Sequence, residues 1–423
     1  MAKIIVLGGC GAVGRVVVKT LAADPTFDEI VVGDINLDAA QALAAEIREK
    51  PATAVRVDAL APETVKKAVA GCDLVVNCVG PFYKTVKPII ETVLACGIHY
   101  LDICDDVDVT DDLLAMHSRA ESAGIKMVIG MGNSPGVTNL LAKLAADHLL
   151  DETEAVDIFH AHGGEPFEGK GVIGHRFHCM SIDIPMYLDG RLRYVKFFEP
   201  DGLALRRPFD FPVLGEGIMV YPYPHPEQLT LPRYLNVRRV TNRGTILPAD
   251  YYQLTMDVCR LGLADKTPLE VNGASVSPYD FSTAFLIRER ERILQETRFG
   301  SQKGCTSTVV TGRKDGRRQE LRFHLASDSQ ALGEGTGIPA ALGAILIQQG
   351  KVARAGVFPP EGAIDPLDFV SLIPDVLARN SADDPSRSAQ LLMDIIDQDG
   401  RKTTMDMMAA ARMLTAGKPI KTE

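Results

Sequence analysis

Lys3-Ile4-Ile5-Val6-Leu7-Gly8-Gly9-Cys10-Gly11-Ala12-Val13-Gly14 stands at the head of the chain, and its reading decides the fold. Lys3 to Leu7 is short, apolar and β-branched, the pattern of a strand buried on both faces. The glycines follow without a gap, and Val16, Val17, Val18, Leu21 and Ala22 then recur at helical spacing. A second apolar run, Ile30-Val31-Val32-Gly33, ends on Asp34, 20 residues beyond Gly14. Each part has a mechanical reason. Gly9 is expected to make the tight turn out of the strand, Gly11 to let the backbone approach a pyrophosphate, and Gly14 to let the helix pack closely on the strands. Ala12 and Val13 form the first helical turn, where free N–H groups and the helix dipole favour an anion. Asp34, with Ile35 beside it, is placed to accept hydrogen bonds from an adenosine ribose. The combination of strand, glycine turn, helix and spaced acid predicts a dinucleotide site. A carboxylate at Asp34 repels a 2′-phosphate, so NAD is favoured, with NADP as the alternative.

Composition narrows the class. With 423 residues, 46% of them hydrophobic, the chain can build two or three cores and is not expected to be disordered. A net charge of −10 without a basic cluster argues against nucleic acid. No apolar run approaches a membrane span, and the start runs directly into a strand, so neither a membrane partner nor a signal peptide is expected. The eight cysteines are scattered, with no CxxC pair. They read as reduced thiols in a cytoplasmic protein without structural zinc.

Further along, strand and helix patterns alternate. A helix over 37–49 leads to the strand Ala54 to Val57, closed by Asp58 and Ala59 where a doubly wound fold touches adenine. Pro62 to Ala70 reads as a helix with proline in its first turn. The strand Leu74 to Val79 includes Cys78 and ends in Gly80-Pro81, expected to run under the nicotinamide beyond the carboxyl end of the sheet. Helices are expected over Lys87 to Ala95, Asp112 to Ala123 and, entered through Gly132 to Asn139, as far as His148, with strands at His99 to Asp106 and Lys126 to Gly130. These six alternations make residues 1–150 a complete Rossmann dinucleotide-binding domain with a doubly wound parallel sheet. The texture then changes. Residues 151–330 carry short β-type runs, prolines and aromatics, two helices (Pro248 to Arg260, Phe281 to Glu296), and a hairpin signal at Lys314-Asp315-Gly316. This predicts a second, α+β mixed-sheet domain. In 331–423 the run from Gly333 to Pro339 leads into an apolar helix, its glycines explained by close packing. Leu391 to Ile396 and Met405 to Leu414 read as apolar helical stretches.

The motifs Gly9 to Gly14, Cys78-Val79-Gly80-Pro81, Tyr100-Leu101-Asp102, Asn133-Ser134-Pro135-Gly136, Thr230-Leu231-Pro232 and Gly337-Ile338-Pro339-Ala340-Ala341 occur in an order that resembles the saccharopine dehydrogenase-like family. That family includes lysine 6-dehydrogenase and carboxynorspermidine dehydrogenase. The resemblance implies that the C-terminal helix returns to the Rossmann domain and that the middle segment serves substrate binding and homodimerisation. It also implies the chemistry: NAD(P)-dependent hydride transfer at a carbon bearing nitrogen, in an amino acid or secondary amine. Glu165 to His178 and the tail from Ile373 have no counterpart in that pattern.

Such chemistry needs a group to manage a proton on nitrogen and charges to hold the substrate. Asp102 is the first candidate: it ends a strand on the cofactor side and resembles the acid of the family's Tyr-x-Asp stretch. Cys104 lies on the same face by strand alternation. The plainer readings are a turn acid and an inert buried thiol. For a substrate carboxylate, Arg176 and Arg233 are the candidates, because arginine grips carboxylates bidentately. His160, His162, His175 and His178 have spacings that could hold a metal, but no shielded ligand set of the structural type is present and none is assigned. The competing reading is a non-catalytic dinucleotide-binding sensor or partner protein on the same fold.

Overall fold

The computed structural model describes residues 1–328, 333–380 and 390–418. Its first part alternates as the pattern requires: β1 (Lys3–Leu7), α1 (Ala12–Ala23), β2 (Glu29–Asp34), α2 (Leu37–Glu46), β3 (Ala52–Arg56), α3 (Pro62–Val69), β4 (Leu74–Asn77), α4 (Phe82–Ala95), β5 (His99–Asp102), α5 (Val107–Leu114), α6 (His117–Ser122), β6 (Lys126–Val128) and α7 (Val137–Leu144). The second part holds β7 (Glu152–Gly163), α8 (Lys170–Ser181), β8 (Asp183–Leu188), β9 (Arg191–Lys196), α9 (Pro200–Leu203), β10 (Arg207–Phe211), β11 (Gly215–Pro222), α10 (Glu227–Tyr234), β12 (Arg239–Leu247) and α11 (Ala249–Arg260). A small hairpin, β13 (Leu269–Val271) and β14 (Ala274–Val276), precedes α12 (Pro278–Glu296), β15 (Lys303–Lys314) and β16 (Arg317–Ser327). The chain closes with α13 (Gly333–Gln348), β17 (Gly356–Phe358), α14 (Pro360–Ala363), α15 (Pro366–Asn380), β18 (Gln390–Ile396), β19 (Lys402–Asp406) and α16 (Met407–Thr415).

Two large sheets organise these elements. The first is parallel, in the order β17-β6-β5-β4-β1-β2-β3, so the chain reverses direction between β1 and β4. Six of its strands follow the sequence reading. The seventh, β17, is only three residues long and arrives over 200 residues after its neighbour β6, beyond the reach of any local pattern. Helix α13 packs on α1, where a Cβ at Gly337 would lie 2.7 Å from Val16 Cβ; its glycines are there for contact between helices. The second sheet is mixed, running β10-β11-β12-β7-β15-β16-β18-β19 with the β8–β9 hairpin attached to β12. Within it β12 and β7 are parallel and the remaining pairs antiparallel. Asp315 and Gly316 both have positive φ (50° and 74°) between the paired Lys314 and Arg317, which is the two-residue hairpin expected there.

Several expectations are corrected. Leu391 to Ile396 is the strand β18, paired with β16 and β19, and not a helix. Met393, Asp394 and Ile395 are all buried, and five apolar residues around one acid cannot by themselves separate the two periods. Of the next stretch, Met405 belongs to β19 and the helix starts at Met407. The helix expected from Lys87 begins five residues earlier, at Phe82. The Asp106 carboxylate accepts the Tyr83 amide at 2.8 Å and so caps that helix from another segment, a partner no local sequence shows. The 112–123 helix is two short ones, α5 and α6, and α7 passes at Ala145 into a π-helical turn ending at Leu149.

Candidate active site

At the carboxyl ends of β1, β2 and β4 the glycine loop is built almost wholly from backbone. Gly8 adopts the left-handed φ of 71°, so the turn out of β1 falls one residue before the glycine expected to make it. Gly9 serves packing: a Cβ there would lie 2.8 Å from Val32 Cγ1. Gly14 is more constrained, since its Cβ would meet the Gly8 carbonyl oxygen at 2.1 Å. At Gly11 a Cβ would meet only that same oxygen, at 3.4 Å. Its outer side is open. Gly11 is also the N-cap of α1, with no side-chain cap and no acid in the first turn, so the N–H groups around Ala12 and Val13 are left for an anion. Asp34 accepts the Cys10 amide on one oxygen and the Asn36 amide on the other, each at 3.0 Å, and is fixed at the rim with lone pairs to spare. Ile35 beside it is exposed. Asp58 turns its carboxylate to the Leu60 amide (3.0 Å), closing the loop that carries Ala59 after β3. Cys78 and Val79 lie against Gly8, and Gly80 and Pro81 beyond them are exposed to the cleft. The cradle fits a dinucleotide pyrophosphate.

The proposed catalytic pair sits deeper than the sequence suggests. Asp102 has no exposed surface. One oxygen accepts the amides of Gly130 (2.7 Å) and Cys104 (3.0 Å) and the other has no hydrogen-bond partner. Burial pushes its pKa up to about 6, against those two backbone bonds. Cys104 is 3% exposed and burial drives its thiol well up, so it stays a neutral thiol.

A second group of polar side chains comes from just beyond β5 and from the second part of the chain. His175, on α8, places Nε2 2.9 Å from Asp106 Oδ1. His178, one helical turn on, meets Asp108 at 2.6 Å and stacks on Tyr83 with ring centroids 4.4 Å apart. Asp105 adjoins this pair; burial raises its pKa, while His175 works in the other direction. Cys179 Sγ lies 3.7 Å from the His175 ring. Beneath them, Tyr223 and His225 pack against His160 of β7, whose ring lies over Gly244 of β12 where no side chain could stand. The loop after β6 is bolted to this floor: Ser134 donates to Glu227 (2.5 Å), Asn242 donates to Ser134 (3.3 Å), and Asn133 donates to Thr306 (2.9 Å). Glu227 also accepts Thr138 and pairs with His225 at 3.2 Å. Several buried polar atoms around this site lack a protein partner, among them Arg176 Nη1, the Tyr252 hydroxyl, His160 Nε2 and Asn242 Oδ1. Buried polar atoms of that kind are normally satisfied, so they point to a ligand or water.

With this geometry in view, the chain can be set beside known proteins. Residues 4–128 match the family model described as the saccharopine dehydrogenase NADP binding domain. The chain is 25% identical to carboxyaminopropylagmatine dehydrogenase of Synechocystis over 88% of its own length and 95% of that protein. This chain resembles saccharopine dehydrogenase-like proteins. It is also 26% identical to carboxynorspermidine synthase of Vibrio alginolyticus, covering 72% of this chain and 76% of that one. The solved saccharopine dehydrogenase (L-Glu forming) of Saccharomyces cerevisiae shares the fold, with a TM-score of 0.66 at 14% identity over 96% of this chain and 100% of that chain. Residues 4–128 are therefore an NAD(P)-binding domain of the saccharopine dehydrogenase type.

The two arginines nominated for a carboxylate are far from equivalent. Arg176 is buried on α8, bound through Nη2 to Glu168, with Tyr251 beneath its guanidinium and Nη1 unpartnered. Glu168 also holds Arg290 at 3.1 Å, so one carboxylate serves two buried cations. Arg233 sits at the surface, paired with Asp111 at 2.5 Å, and is not brought to Arg176. Asp105, Asp106, Tyr223 and His225 were not legible as site residues. The His175-x-x-His178 spacing was the one signal available. Asp105, Asp106 and His175 bring ligand atoms within 4.8 Å of one another.

Proposed function

We propose that the protein oxidises a C–N bond of a carboxylated amine with NAD, or reduces the corresponding imine. The single observation that carries this is the pairing of opposite charges across one site. Asp105 and Asp106 offer negative charge to an ammonium group, while Arg176 Nη1 and the Tyr252 hydroxyl are buried donors without partners. Tyr223 links the two sides, its pKa raised by burial and then by Cys179, Tyr252 and Asp105. A substrate with both a carboxylate and cationic nitrogens would satisfy both sides. The names of the relatives, carboxyaminopropylagmatine dehydrogenase and carboxynorspermidine synthase, describe molecules of that kind. A saccharopine-type substrate with more carboxylates fits less well, because Arg233 is spent on Asp111 at the surface.

In this reading residues 1–150 bind the dinucleotide and 151–330 hold the substrate. Residues 331–423 lend helices to the first part and a hairpin to the second. Gly9, Gly11, Ala12, Val13 and Gly14 take the pyrophosphate, Asp34 with Ile35 the ribose, Asp58 and Ala59 the adenine edge, and Cys78 to Pro81 the nicotinamide side. Asp34 favours NAD, although the family model's description speaks of NADP. The bound dinucleotide supplies the hydride acceptor. Asp102 and Cys104 shape the turn behind the site. Eight unpaired cysteines support a cytoplasmic setting, and the exposed Phe167, Val172 and Phe281 support a homodimer. No helix among the described residues is long and apolar enough to cross a membrane.

The test is reduced-nicotinamide absorbance with carboxylated polyamines, saccharopine, lysine and simple diamines, each with NAD and NADP. Turnover is expected first with a carboxylated polyamine and NAD. Tight dinucleotide binding with no turnover on any amine, in either direction, would decide for the sensor reading.

A further inference from the structure

We infer that His175, held by Asp106, is the group that exchanges a proton with the substrate nitrogen. The inference rests on the amine dehydrogenase reading above, and three observations carry it. The first is access. The His175 side chain is 24% exposed, whereas Asp102 and Cys104 are buried. The second is placement. Asp106 uses Oδ1 for His175 Nε2 (2.9 Å) and Oδ2 for the Tyr83 amide (2.8 Å), so one carboxylate fixes the imidazole relative to the start of α4, two residues after Pro81. The ring is thereby tied to the exposed Gly80-Pro81 edge, where the nicotinamide half of the dinucleotide is expected. The third is the free end of the ring. Among the described residues Nδ1 meets only the Cys179 sulfur, at 3.9 Å, and can face a substrate nitrogen. A carboxylate holding one ring nitrogen while the other acts is a general arrangement for proton transfer.

The step balances. In oxidation the C–H electron pair leaves the substrate carbon as hydride to the oxidised nicotinamide, the nitrogen lone pair closes the C=N bond, and the N–H proton passes to His175. In reduction the imidazolium returns the proton as hydride arrives at carbon. Groups facing the ring come from four segments: Asp105 and Asp106 after β5, Tyr83 of α4, Cys179 on α8 itself, and Tyr223 with His225 before α10. Burial opposes charge on His175, but Cys179, Asp105 and the bond to Asp106 outweigh it and raise its pKa well above that of a free histidine. The charged ring is thereby favoured, which suits imine reduction, and oxidation should quicken as pH rises.

The experiment uses the full-length protein with the best amine from the panel and compares wild type, His175→Asn, His175→Ala and Asp106→Asn. The rate of amine oxidation should fall about 10²- to 10⁴-fold in both His175 variants, with dinucleotide affinity unchanged. The wild-type rise of kcat with pH should vanish in His175→Asn. Added imidazole should restore part of the rate in His175→Ala. In Asp106→Asn the rise should move to lower pH, because the neighbouring carboxylate charge is gone; a purely structural role would not move it. Retention of the wild-type kcat and pH rise by His175→Asn, or no imidazole rescue of a His175→Ala protein that still binds dinucleotide, would overturn the inference alone. Absence of turnover by the wild type on every amine would overturn it together with the function on which it rests.

Discussion

The two halves of the site are made in opposite ways. The pyrophosphate cradle of the dinucleotide half is assembled from residues within one β-α-β unit, through backbone contacts such as Gly11 N to Gly8 O (3.1 Å) and Gly9 N to Gly33 O (3.1 Å). The proposed substrate half is assembled from side chains distant in sequence, such as Asn133 with Thr306, 173 residues apart, and Ser134 with Glu227, 93 apart. The first kind of site tolerates little at its glycines and much elsewhere. The second depends on buried charges whose balance is set by remote segments.

The largest way to break the contrast is Glu168→Ala. It leaves Arg176 and Arg290 buried, Arg176 without its carboxylate, while touching nothing in the glycine loop. Stability should fall by about 3–5 kcal/mol, as when one partner of a buried ion pair is removed. Denaturant unfolding checks it, and a loss under 1 kcal/mol would mean that the network is solvated after all.

Asp102→Asn sharpens the boundary between the halves from the other side. Asp102 is an acid with its folded pKa raised to about 6 from 3.8. The folded state therefore binds the proton more tightly, and stability drops as pH rises through that window and then levels off. The asparagine removes the penalty. It should stabilise the protein above pH 6 by up to about 3 kcal/mol, from 1.36 kcal/mol per unit, and leave stability at pH 4 nearly unchanged. Melting curves at the two pH values decide it. A large loss of turnover without any gain in stability would return Asp102 to the chemistry.

The smallest effect is Asp34→Ala. NAD affinity should fall about ten- to a hundredfold, the loss of one charge-assisted hydrogen-bond acceptor, with NADP affinity little changed. Calorimetric titration with both dinucleotides checks this, and tighter binding of NADP than NAD by the unmodified protein would remove the assigned role.

What the sequence determined by itself is the dinucleotide half. Strand, glycines, helix and Asp34 lie within 34 consecutive residues, and a pyrophosphate cradle made of backbone needs only the right residues at the right local spacing. Even there the tertiary structure moved one role, giving the left-handed turn to Gly8 and packing to Gly9. The hairpin at Asp315-Gly316 was legible for the same reason, since a two-residue turn is a local object. The structure alone decided that β17 joins the first sheet and β18 the second, because strand pairing is a choice between partners distant in sequence. It alone decided that α4 begins at Phe82, capped by Asp106, and that Asp102 is buried while the His175 side chain is partly exposed. Burial and charge pairing are properties of neighbours in space, and for the substrate half those neighbours come from segments that no spacing rule connects.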